Sequence, residues 1–453
     1  MASAAEQLAA NLNFSAFAKA EDLKKRIWFT LGALLVYRFG TFIPLPGVDS
    51  VAFAETFKSN ATGILGMFNL FAGGAVERMA IFALNIMPYI SASIIMQLLS
   101  SVDKRLEALK KEGEEGRKQI NQYTRYLTVA LATFQAYGIA IGLEASQSSQ
   151  GPVVPDGGLF FRLSTVITLV GGTMFLMWLG EQITARGVGN GISLIIFAGI
   201  VAGLPLAIAS LFNMASSGSL STVVLLGLLV LMLAVVAVIV YVERAQRRLL
   251  VQYPKRQVGN KMFQGDSSHL PLKLNTAGVI PPIFASSLLL LPITAASFAA
   301  GGGTGASEWL TTITAALGRG QPLYLLVYVS LIVFFCFFYT AVVFNPQETA
   351  DNLRKYGGFL PGRRPGVQTA SYIDFVLTRI TVVGAIYLAI VCVLPEVLIS
   401  YAAIPFYFGG TSLLIAVSVT MDTVAQVQSH LVAHQYEGLI KKSKLRGASK
   451  GKK

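Results

Sequence analysis

Cysteine is nearly absent: only Cys336 and Cys392 occur in 453 residues. Both sit inside apolar runs, which excludes a disulfide framework or a four-cysteine zinc site and reads them as core residues. Histidine is as scarce, with His269, His430 and His434 alone. His430 and His434 stand at helical i, i+4 spacing, half a metal site, but Glu437 is the only carboxylate close by and no third ligand follows. No metal and no cofactor is expected. Charge is the third scarcity: 13% of residues are Asp, Glu, Lys or Arg, against 54% hydrophobic residues and a mean hydropathy of +0.61. A soluble domain carries about a quarter charged residues. The composition excludes one and fits a polytopic membrane protein. Catalytic motifs are missing too. No Ser/His/Asp or Cys/His set falls on facing spans, and GVGNG (Gly187 to Gly191) lacks the preceding strand and the closing Gly-Lys-Ser/Thr of a phosphate loop.

What is present is a series of ten apolar runs, each near the roughly 20 residues a helix needs to cross a bilayer. They are Ile27–Ile43, Met79–Leu99, Tyr126–Leu143, Leu163–Gly180, Ile192–Phe212, Thr222–Val242, Ala277–Phe298, Leu323–Phe344, Ile373–Leu394 and Ile404–Val427. The first follows 26 polar residues and runs into Pro44-Leu45-Pro46-Gly47 without a small-residue cleavage pattern, so it reads as a retained span. Charge alternates along the connections. With the amino terminus in the cytoplasm, 31 of the 36 lysines and arginines fall on the cytoplasmic side, as the positive-inside rule requires. Both termini are then cytoplasmic. Arg38 lies inside the first span without an obvious partner.

The stretch from Ile64 to Leu99 is unusual. Its first apolar piece, Ile64–Phe71, is too short to span and is closed by Gly73 and Gly74 before a full-length run begins at Met79. Two readings are open: a segment folded back into a protein-lined cavity, or an amphipathic helix lying on the outer membrane surface. Two cytoplasmic connections, within 243–273 and 345–372, are long and basic, with Pro254, Pro346, Pro361 and Pro365 as element boundaries. Orientation alone needs a few charges and not loops of this length, so they read as a docking surface. A small-solute transporter coupled to ions is the rival class. It calls for ionisable residues near the midplane, whereas Glu181, Asp374 and Asp422 lie near span ends.

The run from Trp178 to Ser193, WLGEQITARGVGNGIS, resembles a signature of the SecY/Sec61-alpha family of protein-translocation channel subunits, and MPYISASIIMQLL within Ile81–Leu99 resembles its second signature. Gly40 to Gly47, Gly113 to Tyr126, Val242 to Arg248, Asn345 to Arg354, Arg364-Pro365-Gly366 and Pro405 to Leu414 extend the likeness, in order, over nearly the whole chain. Two departures stand out: Asn85 where many relatives have glycine, and Asn260-Lys261 where some have two arginines. The resemblance implies an all-α polytopic membrane protein, with ten transmembrane helices in two pseudo-symmetric five-helix halves, 27–212 and 213–428, around a central pore. An amino-terminal segment, 1–26, and a basic tail, 429–453, flank them. It implies a constriction lined by Ile86, Ile90, Ile192, Ile196, Ile283 and Ile415. Their i, i+4 pairs share a helix face. It makes Ile64, Leu65, Gly66, Met67, Phe68, Asn69, Leu70 and Phe71 a plug, within 64–74, and places Ser91 and Leu291 across a lateral gate.

By the same resemblance the loops dock the ATP-driven motor SecA or the ribosome, through Arg364 above all, with Arg247, Arg248, Lys255, Arg256, Arg354 and Lys355. The chain has no ATP site, so energy comes from a partner. SecE and SecG are the implied membrane partners, signal sequences and unfolded preproteins the cargo, and the bacterial cytoplasmic membrane the location. The basic loops and the Lys441–Lys453 tail suit anionic lipid as well.

Overall fold

In a computed structural model of the chain, the described residues are 21–60, 69, 71–148, 151–217, 221–254, 256–258, 261–263, 267–289, 321–402 and 410–450. Each of the ten expected spans contains a helix. The first is α1 (Glu21–Gly40), followed by the short α2 (Ser50–Asn60). The second span is α3 (Met87–Val102); Asp103 ends it and caps α4 (Lys104–Lys111) through its side chain. The third and fourth are α5 (Glu114–Ala145) and α6 (Leu159–Arg186), joined by a minimal hairpin of β1 (Gln147–Ser148) and β2 (Gly151–Pro152). Then come α7 (Gly191–Ser216) and α8 (Thr222–Arg244). A loop of four strands follows: β3 (Gln246–Gln252), β4 (Arg256–Val258), β5 (Lys261–Phe263) and β6 (Ser267–Lys273). The remaining helices are α9 (Ile280–Leu289), α10 (Pro322–Val343), α11 (Pro346–Lys355), α12 (Val367–Ala402) and α13 (Gly410–Lys450). Among the described residues, six of these helices are long and apolar enough to cross a membrane.

The structure corrects the second span. Regular helix begins at Met87 and not Met79, because Met79 and Asn85 take positive φ, 45° and 49°, which a helix cannot continue through. Pro88 then sits in the first turn, where its missing N–H costs nothing. At 1.5 Å per residue the sixteen-residue α3 is about 24 Å long, short of a 30 Å hydrocarbon core. The irregular stretch before it is covered by protein: Met79, Ala80, Ala83 and Leu84 are buried. Its backbone is paired, since the Leu45 N–H donates to the Met79 carbonyl at 2.9 Å and the Ile81 N–H to the Ile43 carbonyl at 3.0 Å. Such cover is the condition for irregular backbone at membrane depth.

Two further differences concern helix ends. Pro281 and Pro282 fall in the first turn of α9, where they remove no helical hydrogen bond. The last helix runs past the end of the expected span at Val427, since α13 continues into the tail to Lys450. Each end of the α5–α6 pair carries an ion pair. Arg162 Nη2 lies 2.7 Å from Glu144 Oε2 at one end, and Arg125 Nη2 lies 2.7 Å from Glu181 Oε2 at the other. The main hydrophobic core is one cluster to which α1, α3, α6, α7, α8, α9, α10, α12 and α13 all contribute, so it runs through both parts of the chain.

Candidate channel site

All six isoleucines belong to that large cluster or pack against it. Ile86, Ile90, Ile196 and Ile415 are buried within it, and Ile192 and Ile283 pack against it half-buried. They arrive on four helices: Ile86 caps α3 and Ile90 lies one turn in, Ile192 and Ile196 open α7, Ile283 opens α9, and Ile415 lies in the second turn of α13. Asn190 sets the start of α7, its side-chain oxygen accepting from the Ile192 and Ser193 N–H groups at 3.1 and 3.4 Å. Ile192 also leans on α6, its Cγ1 standing 3.1 Å from where a Cβ on Gly180 would be. Beside this core lies a cavity of about 450 Å³, lined by Asn190, Ser193, Val279, Val419, Asp422, Thr423, Ala425, Gln426 and Ser429. Val279 and Val419 are four residues from Ile283 and Ile415, one helical turn away.

The loop of the signature is a junction of helices and not a phosphate cradle. A Cβ on Gly191 would stand 2.0 Å from the Gly180 carbonyl oxygen, so only glycine allows α6 and α7 to approach as they do. The Gly191 N–H donates to Thr184 Oγ1 at 2.8 Å, the Val188 N–H to Thr30 Oγ1 of α1 at 3.0 Å, and the Gly189 N–H to Gln426 Oε1 of α13 at 2.8 Å.

Most of the expected plug, Ile64 to Phe68 and Leu70, lies outside the described residues; Asn69 and Phe71 are described. The chain that follows is strapped down by three side chains absent from the sequence-based site. Asn85 Nδ2 donates to the Phe71 carbonyl at 2.6 Å, Tyr37 Oη to the Ala72 carbonyl at 3.4 Å, and Arg38 Nη1 to the Gly73 carbonyl at 2.5 Å. Arg38 thus has partners, and its guanidinium also faces the Phe42 ring at 4.8 Å. Asn69 Oδ1 accepts from the Glu77 N–H at 2.9 Å. The φ of 49° explains Asn85: the left-handed region suits glycine and, next best, asparagine. An arginine inside an apolar span and an asparagine at a glycine position were the available signals.

Of the expected gate pair, Ser91 is buried on α3, and Leu291 lies outside the described residues. The contact that bridges α3 and α9 is a different one, from Ser287 Oγ to Met87 Sδ at 3.7 Å. Sulfur is a weak acceptor, so this hydrogen bond is a weak one; apolar residues of both helices, among them Met87, Ile90, Phe284 and Leu289, also lie in the main core cluster.

The two basic loops form a single platform. β3 and β6 pair antiparallel over seven residues, with Leu249 opposite Leu270, and β4 pairs with β5. Gln252 then exchanges two 2.9 Å backbone hydrogen bonds with Phe359 of the other loop. Beneath them Leu249, Leu272, Leu360, Ile373 and Ile380 make a small core. Asn345 caps α11, with Pro346 in its first turn. Arg247, Arg248, Arg354, Lys355 and Arg364 are exposed on this platform; Arg247 and Arg248, as neighbours on a strand, point to opposite faces. Arg256 belongs to β4, and Lys255 lies outside the described residues. Arg363, not among the expected docking residues, stacks over Tyr372 at 5.0 Å.

A single apolar core drawn from both parts of a long-helix, apolar chain, with a folded basic platform of two loops beside it, defines a polytopic membrane protein. The SecY family model matches residues 80–424, and the chain belongs to that family. The protein translocase subunit SecY of Rickettsia felis is 57% identical over 425 residues, covering 94% of this chain and 97% of the relative. That of Escherichia coli K12 is 57% identical over 426 residues, covering 94% and 96%. Among solved structures, Sec61 in the canine ribosome–channel complex from the endoplasmic reticulum aligns with a TM-score of 0.62 at 16% identity, over 91% of this chain and 93% of that one.

Proposed function

We infer that this chain is the protein-conducting channel of a Sec translocase, passing unfolded secretory polypeptides across a membrane and releasing hydrophobic segments sideways into lipid. The observation that carries the reading is the 57% identity to SecY translocase subunits over 94% of the chain, and it is supported by the presence of all six isoleucines, from α3, α7, α9 and α13, in or against the main apolar core. An apolar collar dewets and so blocks ions at rest, and its nonspecific contacts seal around a passing chain of any sequence. Residues 64–74 act as a plug over this collar, anchored at Phe71–Gly73. The seam between α3 and α9 is the lateral exit, on which Ser91 and Leu291 face each other.

The chain performs no catalysis of its own, so the work of transport comes from partners on the basic platform. Arg364, Arg247, Arg248, Lys255, Arg256, Arg354 and Lys355 meet the motor SecA or a translating ribosome, whose RNA attracts basic side chains through its phosphates. Support for the ribosome comes from the ribosome-bound complex of a structural relative. SecE and SecG are the membrane partners, and the bacterial cytoplasmic membrane, with both termini inside, is the location. The test is a photoreactive residue at Ile192, in vesicles supplied with motor, ATP and a stalled precursor. An ATP-dependent adduct to the precursor is expected. Efficient transport without an adduct at Ile192 but with one elsewhere would refute the collar assignment.

A further inference from the structure

Building on that reading, we propose that Gln426 is a positioning residue that completes the hinge of the channel: its bond to Gly189 stays made while the halves part elsewhere. The first half is joined covalently to the second through the short connection between α7 and α8. At the opposite end of α7, the Gly189 N–H donates to Gln426 Oε1 across 237 positions of sequence, at 2.8 Å. A Cβ on Gly189 would lie 3.2 Å from Thr423 Oγ1, so backbone and helix touch here without an intervening side chain. Leu23, Ile27, Val188, Val427 and Leu431 pack into a separate small apolar cluster around the same point, drawing on α1, the loop and α13.

Helix α7 is therefore tied to the second half at both ends, by the chain at one and by Gln426 at the other. Two fixed points on one rigid element define a rotation axis. At 26 residues α7 sets these points about 39 Å apart, enough to cross the membrane. Ile192 lies three residues from Gly189, close to one fixed point, so it moves little as the halves turn. The seam between α3 and α9, where Ser287 Oγ donates to Met87 Sδ, lies away from this axis and takes the displacement.

The deciding experiment is a disulfide across the clasp. Gly189→Cys with Thr423→Cys is oxidised in membrane vesicles and compared with the reduced form in motor-driven precursor transport. Native Cys336 and Cys392 are each 1% exposed and do not compete. Because φ at Gly189 is +89°, which strains a cysteine, Val188→Cys with Val427→Cys is run in parallel. A hinge predicts transport by the cross-linked protein within about two-fold of the reduced rate. Loss of transport on oxidation, restored by reductant, would overturn the proposal and make the contact a lock that must open. Gln426→Ala is expected to raise resting ion conductance and Gln426→Glu, which keeps the acceptor, to restore it; wild-type conductance in the alanine variant also overturns it. Failure of the unmodified protein to move any polypeptide with competent partners would instead remove the channel reading, and the hinge with it.

Discussion

Substitution of Asn85 separates backbone geometry from hydrogen bonding at the strap on Phe71–Gly73. Asn85 is 2% exposed, with φ of 49°; its Nδ2 holds the Phe71 carbonyl and its Oδ1 has no hydrogen-bond partner in the structure. Glycine, alanine and valine all delete the bond to Phe71, whose orphaned carbonyl costs about 1–3 kcal/mol. All three also delete the unpartnered Oδ1, which returns an amount of similar size. The backbone then decides the ranking. Glycine adopts the left-handed region freely, whereas an ordinary side chain costs about 1–2 kcal/mol there and a β-branched one more. Expected stabilities therefore run Asn85 and Asn85→Gly together, then Asn85→Ala about 1–2 kcal/mol lower, then Asn85→Val lower still. Equilibrium unfolding of the purified protein in mixed micelles of rising denaturing-detergent fraction reads this order. A valine variant as stable as the glycine one would refute the backbone assignment. The glycine variant, stable but unstrapped, should leak ions at rest in a planar bilayer; conductance equal to the parent would show that the strap has no part in sealing.

Replacing Ile192 and Ile415 together by serine should raise resting ion conductance, because a hydroxyl at the nearly inaccessible Ile415 position either recruits water or stays unpaired at about 1–3 kcal/mol; an unchanged conductance in bilayer recordings argues against a hydrophobic seal. Arg364→Glu should abolish motor-driven transport in vesicles while the protein remains folded, because Arg364 is exposed and only its backbone carbonyl is engaged, by Thr369 at 2.9 Å; full activity would refute the docking role. Gly191→Ala should cost more than about 3 kcal/mol, because its methyl would stand 2.0 Å from the Gly180 carbonyl oxygen and that neighbour is backbone; expression and thermal stability at parental levels would mean that α6 and α7 do not approach this closely.

Spans were the most legible feature, and their ends the least. The Met79–Leu99 run was continuous in hydropathy, yet helix starts only at Met87, since hydropathy does not register the left-handed turns at Met79 and Asn85. The long basic loops were legible as structured through their prolines, but not as two-stranded hairpins, nor as one platform. Pairing Gln252 with Phe359 joins residues more than a hundred positions apart, and nothing in local sequence encodes that register. Arg38 shows the same limit. It read as a charge without a partner, because its partner is a backbone carbonyl, which every residue carries and no sequence pattern marks.

Composition, the periodic apolar runs and the alternation of charge were enough to make this a ten-span membrane protein, and the signature around Gly187–Gly191 was enough to relate it to a family. Those properties are local, set by partition of each segment between water and lipid. Tertiary structure alone decided that the six isoleucines belong to or pack against one large apolar core, that three side chains hold the successive carbonyls of Phe71, Ala72 and Gly73, and that Gln426 ties α13 to the start of α7. Each of these is a contact between distant parts of the chain, and the free energy that selects it exists only once the helices have packed.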